Sequence, residues 1–237
     1  MEKTYAENIQ SFSNLGPQTD ILARLSAQDV DYLRSIGQIQ QFAKNDLIFH
    51  AGALSKHVYF LRHGRVKIYH PANGGKEVIL WFCFPGDMFG MAEVAQGGGR
   101  LVNAVACESS EVLSITQAQF EGFLRTHPAA GLLVIQVLSN RLRTLGDVIV
   151  NLVNDDAQTR ILKLILLLST RHGVRVEQNI YLSIDLTHQE IADMVGTTRQ
   201  TVTGVLGQLQ RRGLMRLENR RILIENPELL EKIANPI

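Results

Sequence analysis

The stretch Thr187-His-Gln-Glu-Ile-Ala-Asp-Met-Val-Gly-Thr-Thr-Arg-Gln-Thr-Val-Thr-Gly-Val-Leu206 decides how the chain is read. Thr187 and Glu190 stand at the spacing of a capping box, in which hydroxyl and carboxylate each satisfy an orphan backbone donor. Ile191, Met194 and Val195 give a short helix one apolar face, and Ala192 is small where a second helix must cross closely. Gly196 supplies the residue that ends such a helix in a tight turn. Thr197 or Thr198 caps a second helix whose buried side is Val202, Val205, Leu206 and Leu209. The opposite side carries Thr198, Arg199, Gln200, Thr203, Gly204 and Gln208. Two short helices joined by a glycine turn predict a helix-turn-helix.

The polar side of the second helix has the chemistry needed to read double-stranded DNA. Arg199 and Gln200 lie at its N-terminal end, the end that such motifs direct at base edges in the major groove. An arginine fork matches guanine O6 and N7, and a glutamine pairs with adenine. Hydroxyls of Thr187, Thr198 and Thr201 suit phosphate contacts, which position a domain without reading sequence. His188, Gln189, Thr197, Thr203 and Gln208 complete the candidate interface. Between 196 and 224 six arginines (199, 211, 212, 216, 220 and 221) face one acidic residue, Glu218, in a chain whose formal net charge is only +1. A phosphate backbone attracts such a concentration. Leu214–Leu217 and Arg221–Ile224, turning near Asn219, predict a hairpin that follows the second helix as a wing. Asn226-Pro227 then opens a last short helix. The competing interpretation is a helical pair whose polar side has become a protein-interaction surface.

Upstream, Ala157–Arg171 predicts a helix stopped by Gly173, with a strand near Tyr181–Ile184. Asn154-Asp155-Asp156 breaks a longer helix that begins at Pro128 and makes the domain boundary. Leu132, Ile135, Leu138, Leu142, Leu145, Ile149 and Leu152 recur along that helix at spacings of three and four. A stripe sustained this far suits a seam between two copies of the chain, with packing on its own domain as the alternative.

From Leu47 to Ile115 short apolar runs are broken by glycine, proline and asparagine. Val58–Leu61 precedes Gly64; Val66 and Ile68 alternate with Lys67 and Tyr69; Pro71–Gly75 is turn chemistry. Glu77–Phe84 is stopped by Pro85-Gly86-Asp87, and Val102–Ala106 and Val112–Ile115 complete the set. Many short strands with such turns predict an antiparallel roll or barrel. Thr116 caps a short helix carrying Phe120, Phe123 and Leu124. The chain is thus α+β, in four segments: an N-terminal extension (1–21), an effector-sensing β-roll with flanking helices (22–127), a dimerisation helix (128–154) and a winged helix-turn-helix (155–237).

Composition narrows the classes. Hydrophobic residues make up 45% and charged residues 20%, ordinary for a soluble protein with a real core. Cys83 and Cys107 cannot supply four thiolates, which excludes an iron–sulfur cluster or a four-cysteine zinc site. The polar start Met1-Glu-Lys-Thr-Tyr lacks the pattern of a secretory signal. Ile161–Leu168, interrupted by Lys163, is far short of the roughly 20 residues that span a bilayer. A cytoplasmic protein with no membrane partner is expected. A cupin-type metalloenzyme would need a His-x-His pair, and none occurs; no P-loop or GxGxxG is present either, so no catalytic residue and no metal are expected.

With both halves read, the chain resembles the catabolite-activator and fumarate-nitrate-reductase regulator (CRP/FNR) family over roughly residues 22–228. The resemblance is carried by Gly64-Arg-Val-Lys-Ile-Tyr, Gly75-Lys-Glu, Pro85-Gly-Asp-Met-Phe-Gly90, Thr187-His-Gln-Glu-Ile-Ala and Val195-Gly-Thr-Thr-Arg-Gln-Thr-Val. It implies a cyclic-nucleotide-binding-type roll and a homodimer through the central helix. It also implies recognition helices in the major grooves of a pseudo-palindromic site, with RNA polymerase as partner if the protein activates.

Departures from the family pattern bear on the signal. Members that bind cyclic AMP carry Gly-Glu after the Pro-Gly-Asp turn and an Arg-Ser pair; here Met91 takes the glutamate position and the pair is Arg100-Leu101. Hydroxyl residues that hold the adenine align with Leu145 and Gly146. Methionine, leucine and glycine side chains make none of those hydrogen bonds, so no physiological cyclic AMP binding is expected. Base-reading positions align with Arg199, Gln200 and Gly204, the last silent. Haem ligands of the carbon-monoxide-sensing member align with Gly90 and Ala92, neither of which binds iron. A haem- or redox-dependent gas sensor, the alternative function, would need His50, His57, His63, His70, Cys83 or Cys107 instead. What remains is a pocket between roll and central helix, lined by Trp81, Phe82, Phe89, Met91, Leu101, Leu138, Leu142 and Leu145. With Arg100 as anion anchor it suits a small apolar or aromatic acid; the other possibility is that these are plain core side chains and no effector is needed. A ligand there would move the seam and swing the recognition helices about the Asn154–Asp156 hinge.

Overall fold

A computed structural model of the chain describes residues 20–93, 97–218 and 221–234, apart from the side chains of Asn73 and Arg171. Most of the extension expected over 1–21, the hairpin turn at Asn219, and Arg220 lie outside the described residues. Those described form two compact units, 20–140 and 141–234.

The first unit opens with helix α1 (Ala27–Ile36), capped by a Ser26–Asp29 box. Eight strands follow: β1 (Gln38–Phe42), β2 (Leu47–Phe49), β3 (His57–His63), β4 (Val66–Pro71), β5 (Glu77–Cys83), β6 (Met88–Phe89), β7 (Asn103–Ala106) and β8 (Ser110–Thr116). They form two antiparallel four-stranded sheets, ordered β1-β8-β3-β6 and β2-β7-β4-β5. Helix α2 (Gln117–Thr126) starts from Thr116, which makes a capping box with Gln119. The roll expected from the short apolar runs is present, and it begins earlier, because the glutamine-rich β1 pairs with β8 from Gln38↔Ser114 to Phe42↔Ser110.

The apolar run Val58–Leu61 has no polar alternate because both of its faces are buried. Val58 and Phe60 enter a core with Met88, Leu113, Ile115, Phe120 and Phe123. Tyr59 and Leu61 enter a second core with Phe49, Val66, Ile68, Cys83, Phe89, Ala104 and Val112. Period-two alternation therefore sorts neighbouring side chains into two cores rather than into core and solvent. The turn glycines 64, 75, 86 and 90 all have positive φ. At Gly64 an added Cβ would stand 2.3 Å from the Ser110 hydroxyl, so the β3–β4 turn admits no side chain.

Helix α3 runs unbroken from Pro128 to Asn154. Its N-terminal half buries Ala130, Val134 and Val137 in the core of Phe120 and Phe123. The stripe Leu132, Ile135, Leu138 and Leu142, continuing to Ile149 and Leu152, faces outward and is exposed, Leu142 by 73%; Leu145 is half-buried.

The second unit contains the C-terminal part of α3, then α4 (Ala157–His172), β9 (Gly173–Val176), β10 (Asn179–Leu182), α5 (His188–Val195), α6 (Arg199–Arg211), β11 (Met215–Glu218), β12 (Arg221–Ile224) and α7 (Pro227–Ala234). Its sheet is ordered β11-β12-β10-β9. The expected hairpin is thus extended by two more strands, β10 joining it through Ile180↔Ile224. Gly173, expected only to stop a helix, begins β9 directly, where any Cβ would meet the Ser169 carbonyl at 2.1 Å. Helix α4 buries Ile161, Leu162 and Ile165 and packs against α5, α6 and α7.

The break at Asn154–Asp156 lies inside this second unit and is braced. Lys163 Nζ donates to the Asp155 carboxylate at 2.7 Å and to Asn151 Oδ1 at 3.2 Å. Arg160 Nη1 donates to the Asp155 carbonyl at 2.7 Å.

Candidate nucleic-acid interface

The start of each helix in the helix-turn-helix is set by short-range hydrogen bonds. Glu190 N–H donates to Thr187 Oγ1 at 3.1 Å, and Thr187 N–H donates to the Glu190 carboxylate at 2.8 Å, closing the expected box. Helix α5 ends at Gly196 in the left-handed conformation, φ 66° and ψ 50°. Of the two threonines offered as caps, Thr198 takes the role: it is extended, and its hydroxyl accepts from Thr201 N–H at 3.1 Å. Ile191, Ala192 and Val195 of α5, with Val202, Val205, Leu206 and Leu209 of α6, are buried. This fixes how the polar side of α6 is presented.

On that side Arg199, Gln200, Thr203, Gly204 and Gln208 are exposed. The remaining candidates are tied within the motif. Thr203 donates its hydroxyl proton to the Arg199 carbonyl at 2.9 Å, so the 2.8 Å contact from His188 Nδ1 must be donated by the imidazole. Gln189 Nε2 donates to Asp193 at 2.8 Å. The hydroxyls of Thr198 and Thr201 lie 2.9 Å apart and share a proton. Thr197 and Thr201 are half-buried, while Thr187 is exposed beside the start of α5.

One residue that sequence reasoning passed over holds the turn in place. Arg160 of α4 donates from Nε to the Val195 carbonyl at 2.9 Å and from Nη2 to the Gly196 carbonyl at 3.4 Å. The same guanidinium reaches Asp155, so it links the break after α3 to the C-terminal carbonyls of α5, which lack partners in their own helix. The available signal was Arg160 standing immediately before the apolar run Ile161–Leu168.

The basic cluster needs correction. Asp185 and Glu225 lie outside the window 196–224 in which Glu218 stands alone. Yet Arg221 Nε donates to Asp185 at 2.9 Å and Arg216 Nε to Glu225 at 2.7 Å. The Arg221 guanidinium also lies 5.8 Å from the Tyr181 ring centroid. Two of the arginines are thus ion-paired at the surface of the domain, Arg216 exposed and Arg221 half-buried, while Arg199, Arg211 and Arg212 are exposed on α6 and its end.

Residues 39–127 match the cyclic nucleotide-binding domain family, and residues 159–233 the Crp-like helix-turn-helix domain family. The global nitrogen regulator of Synechocystis sp. is 31% identical over 196 residues, which cover 82% of this chain and 87% of that protein. The chain belongs to the CRP/FNR family of transcription regulators. The regulator is also 30% identical, over 81% of its length and 86% of the relative's, to the CRP-like cAMP-activated global transcriptional regulator of Mycobacterium tuberculosis. Among solved structures, a mutant of CooA from Carboxydothermus hydrogenoformans has a TM-score of 0.77 at 27% identity, covering 86% of this chain and 90% of that one. The first two of these relatives are named as regulators, not as enzymes. Among the described residues of the regulator, no helix is long and apolar enough to cross a membrane.

The structure does not gather the proposed effector-pocket residues of the roll onto one wall. Trp81 and Phe82 are consecutive in β5 and point to opposite faces: Trp81 packs against the inner core of the roll, while Phe82 lies under the Arg65 guanidinium. Phe89 fills the inner core, stacked on Tyr59 at 5.2 Å, whereas Met91 belongs to the core on the other face of β3. Leu101 is 72% exposed.

Arg100 is not an open anchor. It is 3% exposed, and Nη1 donates to Glu93 at 2.8 Å and to the Gly90 carbonyl at 2.6 Å, while Nη2 donates to the His57 carbonyl at 2.5 Å. Its guanidinium carbon lies 4.3 Å from the Phe49 ring centroid. Its charge reaches two neighbours. Burial chiefly, then the positive charges of Arg100 and Lys56, holds the His57 imidazole below its ordinary value of 6.5. Burial raises the Tyr59 phenol, and Arg100 partly offsets this by charge and hydrogen bonding.

Proposed function

We propose that the regulator acts as a homodimer that reads a pseudo-palindromic DNA site with Arg199 and Gln200, under a β-roll that takes neither cyclic AMP nor a small organic acid. The observation that carries the DNA reading is the face of α6. Arg199 and Gln200 stand exposed at the N-terminal end of a helix whose start is set by Thr198 and whose flanking hydroxyls are held inside the motif. Gly204 reads nothing, so specificity concentrates on those two positions.

The dimer is supported by Leu132, Ile135, Leu138, Leu142, Ile149 and Leu152, an exposed apolar stripe along one helix. Soluble monomers rarely leave such a surface in water, and a second copy covers it by the same stripe. Two recognition helices would then address half-sites about 34 Å apart. The reading of the roll is supported by Met91, buried where a ribose-binding glutamate would be needed, and by Arg100, whose charge is already paired.

The test is fluorescence anisotropy on sites selected from random DNA. Arg199→Ala should cost about 1–3 kcal/mol and relax discrimination at one base position. Equal loss on every sequence would make Arg199 a phosphate contact, and absence of any selected site would refute the DNA reading. Calorimetry with cyclic AMP should give no micromolar binding.

A further inference from the structure

The surroundings of Arg100 are built by groups that cannot move independently of the fold. Arg100 N–H donates to the Ala53 carbonyl at 2.8 Å, and its own carbonyl accepts from Gly52 N–H at 2.8 Å, so the backbone beneath the side chain is pinned. The guanidinium is enclosed by the His57 and Gly90 carbonyls and the Phe49 ring. Gly90 leaves the necessary room: a Cβ there would stand 3.2 Å from both Nη1 and Nη2. Carbonyls and a ring satisfy N–H groups, but they do not neutralise a buried charge. Among the described residues the one carboxylate paired with Arg100 is Glu93, itself nearly buried. Nε, also buried, has no hydrogen-bond partner among the described residues, so the guanidinium is already short of one acceptor.

A cage of main chain and ring around a single cation, with one side chain supplying the counter-charge, is the construction of an anion site. We propose that the protein fills this site with its own carboxylate: Glu93 is an intramolecular ligand, standing on Arg100 where a free small carboxylate would stand. This deepens the reading of the roll given above, on which it rests, and is independent of the DNA reading. Tethering places Glu93 beside Arg100 at an effective concentration that free metabolite anions do not match, so the site is closed to them. Cutting Glu93 back to alanine removes CH2–COO⁻, the shape and charge of acetate, and should turn a closed site into an acetate site.

The experiment is thermal unfolding of the full chain, wild type and Glu93→Ala, in sodium acetate against sodium chloride at matched ionic strength. Wild type should unfold at the same temperature in both salts. Glu93→Ala should unfold lower in chloride and gain a few degrees in acetate, saturably, as a ligand specific to the folded state requires. Glu93→Gln keeps an oxygen on Nη1 and fills the space, so it should not respond to acetate. If Glu93→Ala does not stay folded, its refolding yield in acetate against chloride provides the same comparison. Equal behaviour of Glu93→Ala in both salts would overturn the proposal while leaving the reading of the roll intact. A response of Glu93→Gln as large as that of Glu93→Ala would also overturn it, because acetate would then act elsewhere. Saturable stabilisation of wild type by acetate, phosphate or cyclic AMP would overturn both, since Arg100 would then be open.

Discussion

The threonine hydroxyls of the helix-turn-helix and Arg100 of the roll are held over different distances along the chain. In the helix-turn-helix, Thr187 is held by Glu190 and Thr198 by Thr201, each three residues away, and Thr203 by the Arg199 carbonyl, four away. In the roll, the Arg100 donors reach Glu93, Gly90 and His57, which are 7, 10 and 43 residues away. The first kind of contact follows from the geometry of one helical turn, so a side chain's partner is known once its position in the helix is known. The second exists only after strands have paired. It ties together parts of the chain that share no local rule. The teaching is about purpose as well as legibility: local locking leaves Arg199 and Gln200 facing outward, whereas long-range locking uses up Arg100, the cation expected to anchor a ligand.

The largest effect that separates the two regions should come from breaking the long-range pair. Glu93→Met or Arg100→Met alone leaves a buried charge uncompensated, and each should cost about 3–5 kcal/mol of stability in urea unfolding. The double substitution removes both charges and should cost less than either single change. If the single costs simply add, the two residues are not coupled, and the contrast with the helix-turn-helix disappears.

The matching change in the other region is Thr187→Ala. It removes one local cap and should cost about 1 kcal/mol, with DNA affinity falling by no more than that on all sequences alike. A loss of several kcal/mol would show that this cap is coupled to the longer-range contacts that Arg160 makes with the same motif.

That contrast also explains what could be read from the residues in order. The caps at Thr116, Thr187 and Asn226, the end of α5 at Gly196, the extent of α3 from Pro128, and the glycine turns of the roll all follow from local chemistry, and all are present. Thr197 and Thr198 were both legal caps by type, and only the backbone conformation distinguishes them. The errors share one cause. The arginine window overlooked Asp185 and Glu225 because pairing across the sheet, not sequence distance, brings them to Arg221 and Arg216. Strand β1 was passed over because Gln38–Phe42 lacks apolar alternation and is held by its partner β8. Aromatic and apolar residues of the roll looked like a pocket because type alone does not say which of two cores a strand residue enters. Phe89 and Met91 are two apart, but β6 ends between them, so period-two alternation does not carry over.

The smallest effect concerns His57, whose carbonyl accepts from Arg100 while its ring is tilted against Tyr59 with centroids 6.2 Å apart. Burial, then the charges of Arg100 and Lys56, lowers the affinity of the folded ring for a proton. The unfolded chain, with an ordinary imidazole near 6.5, therefore takes up that proton first as the pH falls. Stability should decline as pH drops through about 6.5, and the decline should end once the folded ring is protonated as well. The ring is only partly buried, so solvent screening keeps the slope shallow. His57→Gln should flatten the dependence of the urea midpoint as the pH falls below about 6.5, while the carboxylates, which titrate lower, still impose their own fall. Superimposable profiles for wild type and His57→Gln would mean that neither burial nor the charges of Arg100 and Lys56 weigh on the ring in solution. The contrast between the locally held threonines and Arg100 would then rest on the Glu93–Arg100 pair alone.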